Sequence, residues 1–138
     1  RWNEALEIIL NDNDSLSRAE LSGKLARSLA DRVQLLKLLS MNNFDMEANS
    51  RPELLISFKK AYGRSMELVA ELLNKYCPQM DDEAIKSFIY TFFPFMFGIY
   101  PYAMVTDKQK NAMKEAGIGY TYYSVYELTY NCILKLLD

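Results

Sequence analysis

Residues 87–106, SFIYTFFPFMFGIYPYAMVT, are twenty consecutive positions without a charge. Eight of them are aromatic, and Pro94, Gly98 and Pro101 interrupt the run. A bilayer-spanning helix needs roughly 20 apolar residues. A helix surrounded on all sides by protein reads the same way. On a wheel of about 100° per residue, Ile85, Phe88, Ile89, Phe92, Met96, Ile99 and Tyr100 form one broad apolar face. Tyr90, Phe93 and Phe97 flank it. Ser87, Thr91, Pro94 and Gly98 fall on the back as a stripe of small residues, with Phe95 nearby.

Several features argue against lipid. Tyr90 lies inside the stretch, Pro94 breaks its middle, and no Lys/Arg cluster flanks one end to set an orientation. The segments around it are amphipathic. Burial on both sides is the better account, with the broad face on the chain's own core and the small-residue stripe open to a second copy of the chain. The final segment supports a dimer. Tyr120, Tyr122, Tyr123, Tyr126 and Tyr130 crowd into it, and tyrosine is enriched at interfaces. The seam predicted from these residues comprises Ser87, Thr91, Pro94, Phe95 and Gly98 with Tyr122, Tyr126, Thr129 and Ile133. Two helices per protomer then form a four-helix bundle.

Composition narrows the function. The chain has 138 residues, half of them hydrophobic, which suits one globular domain over residues 1–138. Its net charge of -2 offers no basic excess for non-specific nucleic-acid binding. Histidine is absent, removing the commonest general base and the commonest metal ligand. The glycines form no phosphate loop, and no serine sits in a nucleophile elbow. No metal or cofactor site is expected, nor an enzyme. Cys77 and Cys132 lack metal-ligand spacing and read as reduced structural thiols, which fits a cytoplasmic protein.

The chain is punctuated as helices throughout. Trp2, Leu6, Ile9 and Leu10 follow helical spacing, in what reads as the end of a helix begun before Arg1. Ser17-Arg-Ala-Glu20 is a capping box opening a helix to about Ala30. Another follows from Asp31 to about Met41, either continuous with it or bent near Asp31. Ser50-Arg-Pro-Glu53 is a second box, and Leu54, Leu55, Phe58, Tyr62, Met66, Val69, Leu72, Leu73 and Tyr76 then hold one stripe for about seven turns. Asp81 caps the helix that carries the uncharged stretch to about Tyr100. Thr106-Asp-Lys-Gln109 opens a short helix closed by Gly117. The aromatic start of the last segment suits a strand on propensity. The shared face of Tyr122, Val125, Tyr126, Thr129, Ile133, Leu136 and Leu137 favours a helix. The expectation is an all-α domain of about six or seven helices.

The order of these elements resembles a known family. The helix ending after Trp2, the Leu35-Leu36-Lys37-Leu38-Leu39 helix, the long helix begun at Pro52, and Phe92-Phe-Pro-Phe-Met-Phe-Gly-Ile-Tyr-Pro-Tyr102 resemble the C-terminal domain of TetR-family transcriptional regulators. The resemblance implies a TetR-like helical domain that dimerises through its last two long helices. It implies operator DNA bound only by a helix-turn-helix domain upstream of Arg1. It also implies an effector pocket between the middle helices, and DNA release by a repressor when that pocket fills. If the long helix and the uncharged helix run antiparallel, Phe58, Tyr62 and Met66 face Phe93, Phe97 and Tyr100. That set suits a hydrophobic or aromatic small molecule. The competing reading is an all-α oligomerisation or adaptor module without a ligand.

Overall fold

Side-chain caps open half of the described helices. The computed structural model describes residues 1–41 and 51–138, among which eight α-helices and no strand are found. They are α1 (Trp2–Asn11), α2 (Arg18–Ala30), α3 (Val33–Ser40), α4 (Pro52–Tyr76), α5 (Asp82–Gly98), α6 (Tyr100–Ala103), α7 (Asp107–Glu115) and α8 (Val125–Leu136). The architecture is all-α, as the punctuation predicts.

Ser17 accepts from the Glu20 amide at 3.1 Å while the Ser17 amide donates to the Glu20 carboxylate at 2.9 Å, so the capping box opening α2 is complete. Asp81 accepts from the Ala84 amide at 2.8 Å and starts α5. Thr106 caps α7 through the Gln109 amide, without the reciprocal arm of a full box. Gly117 closes α7 with a φ of 73°, a left-handed conformation that costs glycine little. There the Ile118 amide reaches back to the Met113 carbonyl and that of Gly117 to Lys114, satisfying the carbonyls at the helix end. The capping box expected at Ser50 lies outside the described residues. α4 opens from Arg51 with Pro52 in its first turn.

The second and third helices are separate, parted at residues 31–32, which decides between the two alternatives near Asp31. Two boundaries differ from the sequence reading. The uncharged stretch breaks at Ile99, and a short α6 containing Pro101 follows, which raises the count to eight among the described residues. The last helix begins at Val125, later than predicted, because Ser124 and Glu127 form a reciprocal capping box. Tyr120, Tyr122 and Tyr123 therefore precede the helix.

The core is built around α5. Phe88, Phe92 and Phe93 are fully enclosed, each worth about 1.5–3 kcal/mol of burial. Ser87, Thr91, Pro94 and Gly98 on the opposite face are exposed. Pro94 leaves the Tyr90 carbonyl without its helical donor, and because both residues face outward the defect lies on the solvent side, where water can satisfy it. α4 and α5 are joined by residues 77–81, and Tyr62 in the first half of α4 meets Phe93 and Phe97 in the second half of α5. That pairing is the signature of an antiparallel hairpin.

α1 lies against α4 and is held at both ends. The Tyr76 hydroxyl sits 2.7, 3.0 and 2.9 Å from the carbonyls of Ile9, Leu10 and Asn13, at the C-terminal end of the helix. Lys75 donates to the Leu10 carbonyl at 2.6 Å. At the other end the Trp2 indole donates to Ser28 Oγ at 2.9 Å and packs edge-on against Phe93. α8 packs against α2, where Gly23 admits the Tyr126 hydroxyl: a Cβ there would lie 3.2 Å from it. No described helix is long and apolar enough to cross a membrane.

Candidate functional site

Two apolar helix faces that meet at an angle leave a gap unless side chains fill it. Such a gap of about 770 Å³ opens between α1, α3, α4 and α5. Its size falls within the roughly 300–1,000 Å³ of small-molecule pockets. Phe58, Ala61, Tyr62 and Ser65 reach it from α4, a run at the three- and four-residue spacing that keeps them on one helix face. Phe93, Met96 and Phe97 reach it from α5, where the same spacing applies. Val33, Leu35, Leu38 and Leu39 wall it from α3, and Trp2 and Asn3 from α1.

The rings form a connected cluster. Tyr62 is the hub, with its centroid 5.4 Å from Phe93, 5.7 Å from Phe97 and 6.4 Å from Phe58, all tilted as aromatic pairs prefer. Lys59 covers the outer faces of Phe58 and Tyr62 at 5.8 and 5.7 Å. Burial, and after it the nearby Tyr90, push the Tyr62 phenol above its ordinary value of 10.0. At neutral pH it is therefore an uncharged donor.

Polar groups of the lining are Asn3 and Ser65 between α1 and α4, and Arg1, Asp31, Arg32 and Gln34 from the chain start and the region linking α2 to α3. Ser65 donates to Asn3 Oδ1 at 2.5 Å, tying α4 to α1 at the cavity wall. Asn3 Nδ2 donates to the Ala61 carbonyl at 3.3 Å. Arg32 stands at the rim, its Nη1 donating to the Ser28 carbonyl at 2.9 Å. The arrangement can enclose a mostly apolar, flat molecule and orient it by a few polar contacts. Among the described residues no cluster of three or more His, Cys, Asp or Glu is placed to hold a metal ion. Burial raises the thiols of Cys77 and Cys132 above the ordinary 9.0, and both are free.

Of the residues expected to line a pocket, Phe58, Tyr62, Phe93 and Phe97 surround this cavity, whereas Met66 and Tyr100 do not. Met66 lies one turn beyond Tyr62, past Ser65, and packs on the core. Tyr100 follows the break at Ile99, so α6 carries it off the face of α5. Sequence reasoning missed the walls from α1 and α3. The signal for Trp2 was its place on the apolar stripe of α1, but nothing in that stripe says which helix it meets.

The residues expected at a subunit seam divide. Ser87, Thr91, Pro94 and Gly98 lie exposed along the back of α5, with Phe95 half-buried beside them. A second cavity of about 350 Å³ sits on this face between Pro94, Phe95 and Gly98 on one side and Tyr102, Tyr120 and Tyr123 on the other. Thr129 and Ile133 must be withdrawn from the seam. Both have 0% exposure and point into the chain's own core. Tyr126 is also engaged within the protomer, with the Arg27 guanidinium 4.6 Å over its ring. Tyr122 is surface-exposed ahead of α8, its ring 5.0 Å from Tyr120 and 5.2 Å from the Lys110 ammonium. α8 packs against α2, which turns the face shared by Thr129 and Ile133 into the core, while the late start of α8 leaves Tyr122 ahead of the helix.

A family model for the tetracyclin repressor-like C-terminal domain matches residues 1–127 of the chain. The chain belongs to this TetR-like family. No curated protein and no solved structure matches it. In TetR-like regulators the C-terminal domain is a regulatory module rather than an enzyme. The match takes in α1 to α7 and the start of α8, and so every residue of the first cavity.

Proposed function

We propose that this TetR-like domain senses a hydrophobic or aromatic small molecule in the 770 Å³ cavity and forms a homodimer. On this reading a helix-turn-helix domain precedes Arg1, and the whole protein is a cytoplasmic repressor that leaves its operator when the effector binds. One observation carries the reading: Trp2 and Asn3, at the N-terminal end of α1, are part of the cavity wall. α1 is the helix that leads toward the proposed DNA-binding domain. A ligand touching it there acts on the connection itself, while Tyr76 holds the far end. Release needs only a differential affinity of about 1–3 kcal/mol between DNA-competent and DNA-incompetent states.

The exposed small-residue face of α5 supports dimerisation there, with Tyr120 and Tyr123 at its edge. Space around Gly98 makes the proposal testable, since a Cβ at that position meets nothing within 4 Å in the protomer. Gly98→Leu is expected to yield a monomer in sedimentation while the circular dichroism stays unchanged.

Thermal-shift screening against a panel of small aromatic compounds tests the sensing claim. A specific ligand raises Tm by mass action, by about 2.7 kcal/mol of stability at one hundred times its Kd. Ala61→Phe, which fills the cavity from α4, is expected to abolish the shift. A panel without a hit, or a shift untouched by Ala61→Phe, refutes the cavity as the sensing site.

A further inference from the structure

The cavity of the proposed sensing function is unevenly furnished, and the unevenness specifies a ligand. Its body is walled by rings and aliphatic chains. Its rim, at the link between α2 and α3, carries the Arg32 guanidinium. Arg32 is half-buried, fixed at one amino group by the Ser28 carbonyl, and forms no ion pair among the described residues. A guanidinium presents five N–H donors in a planar fork, so most of its capacity is unspent. An unpaired cation beside an apolar cavity is a costly arrangement that an anionic ligand group relieves.

Two carboxylates lie near and oppose this. Asp31 shares the rim, but it is well exposed and faces Arg27 at 3.8 Å. Glu4 is well exposed and lies outside the cavity. Both are screened by water, whereas the half-buried guanidinium is screened less, so the rim remains net attractive to an anion.

We infer that the cavity takes an aromatic carboxylate, its rings among Trp2, Tyr62, Phe93 and Phe97 and its carboxylate on Arg32. The tilted rings around Tyr62 favour a flat aromatic body over a flexible acyl chain, because edge and offset contacts add to simple burial. Ser28 is the positioning residue. Its carbonyl holds Arg32 while its hydroxyl receives the Trp2 indole proton, so the same residue aligns the polar and the aromatic ends of the site.

The inference rests on the sensing function proposed above, and the test separates the two. Purified protein is titrated with 1-pyrenebutyrate, with its neutral amide 1-pyrenebutanamide, and with decanoate. The readout is emission from Trp2, the sole tryptophan and part of the cavity wall. The acid is expected to bind about tenfold or more tighter than the amide, the gain of a charge-assisted hydrogen bond. Arg32→Gln is expected to erase that preference without weakening the amide, and Arg32→Lys to keep part of it. Decanoate is expected to bind more weakly than pyrenebutyrate. If acid and amide bind alike and both are lost in Ala61→Phe, the carboxylate assignment falls while the cavity reading stands. If decanoate binds best, the aromatic body is wrong. If none of the three changes Trp2 emission, both the inference and the sensing function fail.

Discussion

The two halves of α4 carry the same stripe and do different work. In the C-terminal half Leu68, Val69, Leu72 and Leu73 are fully enclosed, and Tyr76 anchors the end of α1. In the N-terminal half Leu54 is 52% exposed, while Phe58 and Tyr62 turn toward a cavity. The spacing of apolar residues gives no hint of the change, which falls at Ser65. From there toward Phe58 the helix borders the gap walled by α3, meeting α1 and α5 only around its edge. A hydrophobic stripe therefore states which face of a helix meets protein. It does not state whether that protein closes over it.

Substitutions can break this contrast. Leu72→Ala, in the enclosed half, is expected to cost about 2–5 kcal/mol in denaturant unfolding. Leu54→Ala, in the open half, is expected to change stability by no more than about 0.5 kcal/mol. Equal losses would show that the halves are equally packed. Tyr62→Ala lies between, at about 1–2 kcal/mol, because the ring is half-buried and already borders space. Its larger effect is expected on ligand affinity.

The closely packed region has one flaw. Thr129 is buried against α2 and its Oγ1 has no hydrogen-bond partner among the described residues. Thr129→Val replaces the hydroxyl with a methyl of similar shape and is expected to raise stability by about 1 kcal/mol. A loss of stability would mean that the hydroxyl is satisfied in solution.

The smallest effect concerns acid. The carboxyls of Glu20 and Glu127 are held below 4.5, chiefly by the backbone amides of Ser17 and Ser124 and then by their hydroxyls. A lowered folded-state value means the contribution is complete above 4.5 and is lost as the pH falls through that lower value. Tm is expected to decline on acidification in this window, and Glu127→Gln to flatten part of the decline. A decline unchanged in Glu127→Gln would assign it to other carboxylates.

Much of the fold was legible because helical periodicity and capping chemistry are local. The assignment of Phe88, Phe92 and Met96 to the inner face of α5, and of Ser87, Thr91, Pro94 and Gly98 to the outer one, follows from 3.6-residue spacing alone. Antiparallel pairing of Tyr62 with Phe93 follows from the short link at Cys77-Pro78. The cavity's α1 and α3 walls were not legible, since Trp2 and Leu35 reach it only through the angle at which their helices cross α4. The start of α8 was legible and overlooked. Ser124-Val-Tyr-Glu127 has the same capping-box spacing as Ser17 and Glu20, and reading it moves Tyr122 off the helix.

Amide hydrogen exchange along α4, with and without 1-pyrenebutyrate, tests the contrast most directly. Without ligand, amides of residues 68–76 are expected to exchange only through global unfolding and those of residues 54–62 through faster local opening. With ligand, exchange is expected to slow in residues 54–66 and at the first turn of α1, and to stay unchanged relative to global stability in residues 68–76. Uniform protection along α4 in both states would contradict the division of this helix into a packed half and a sensing half.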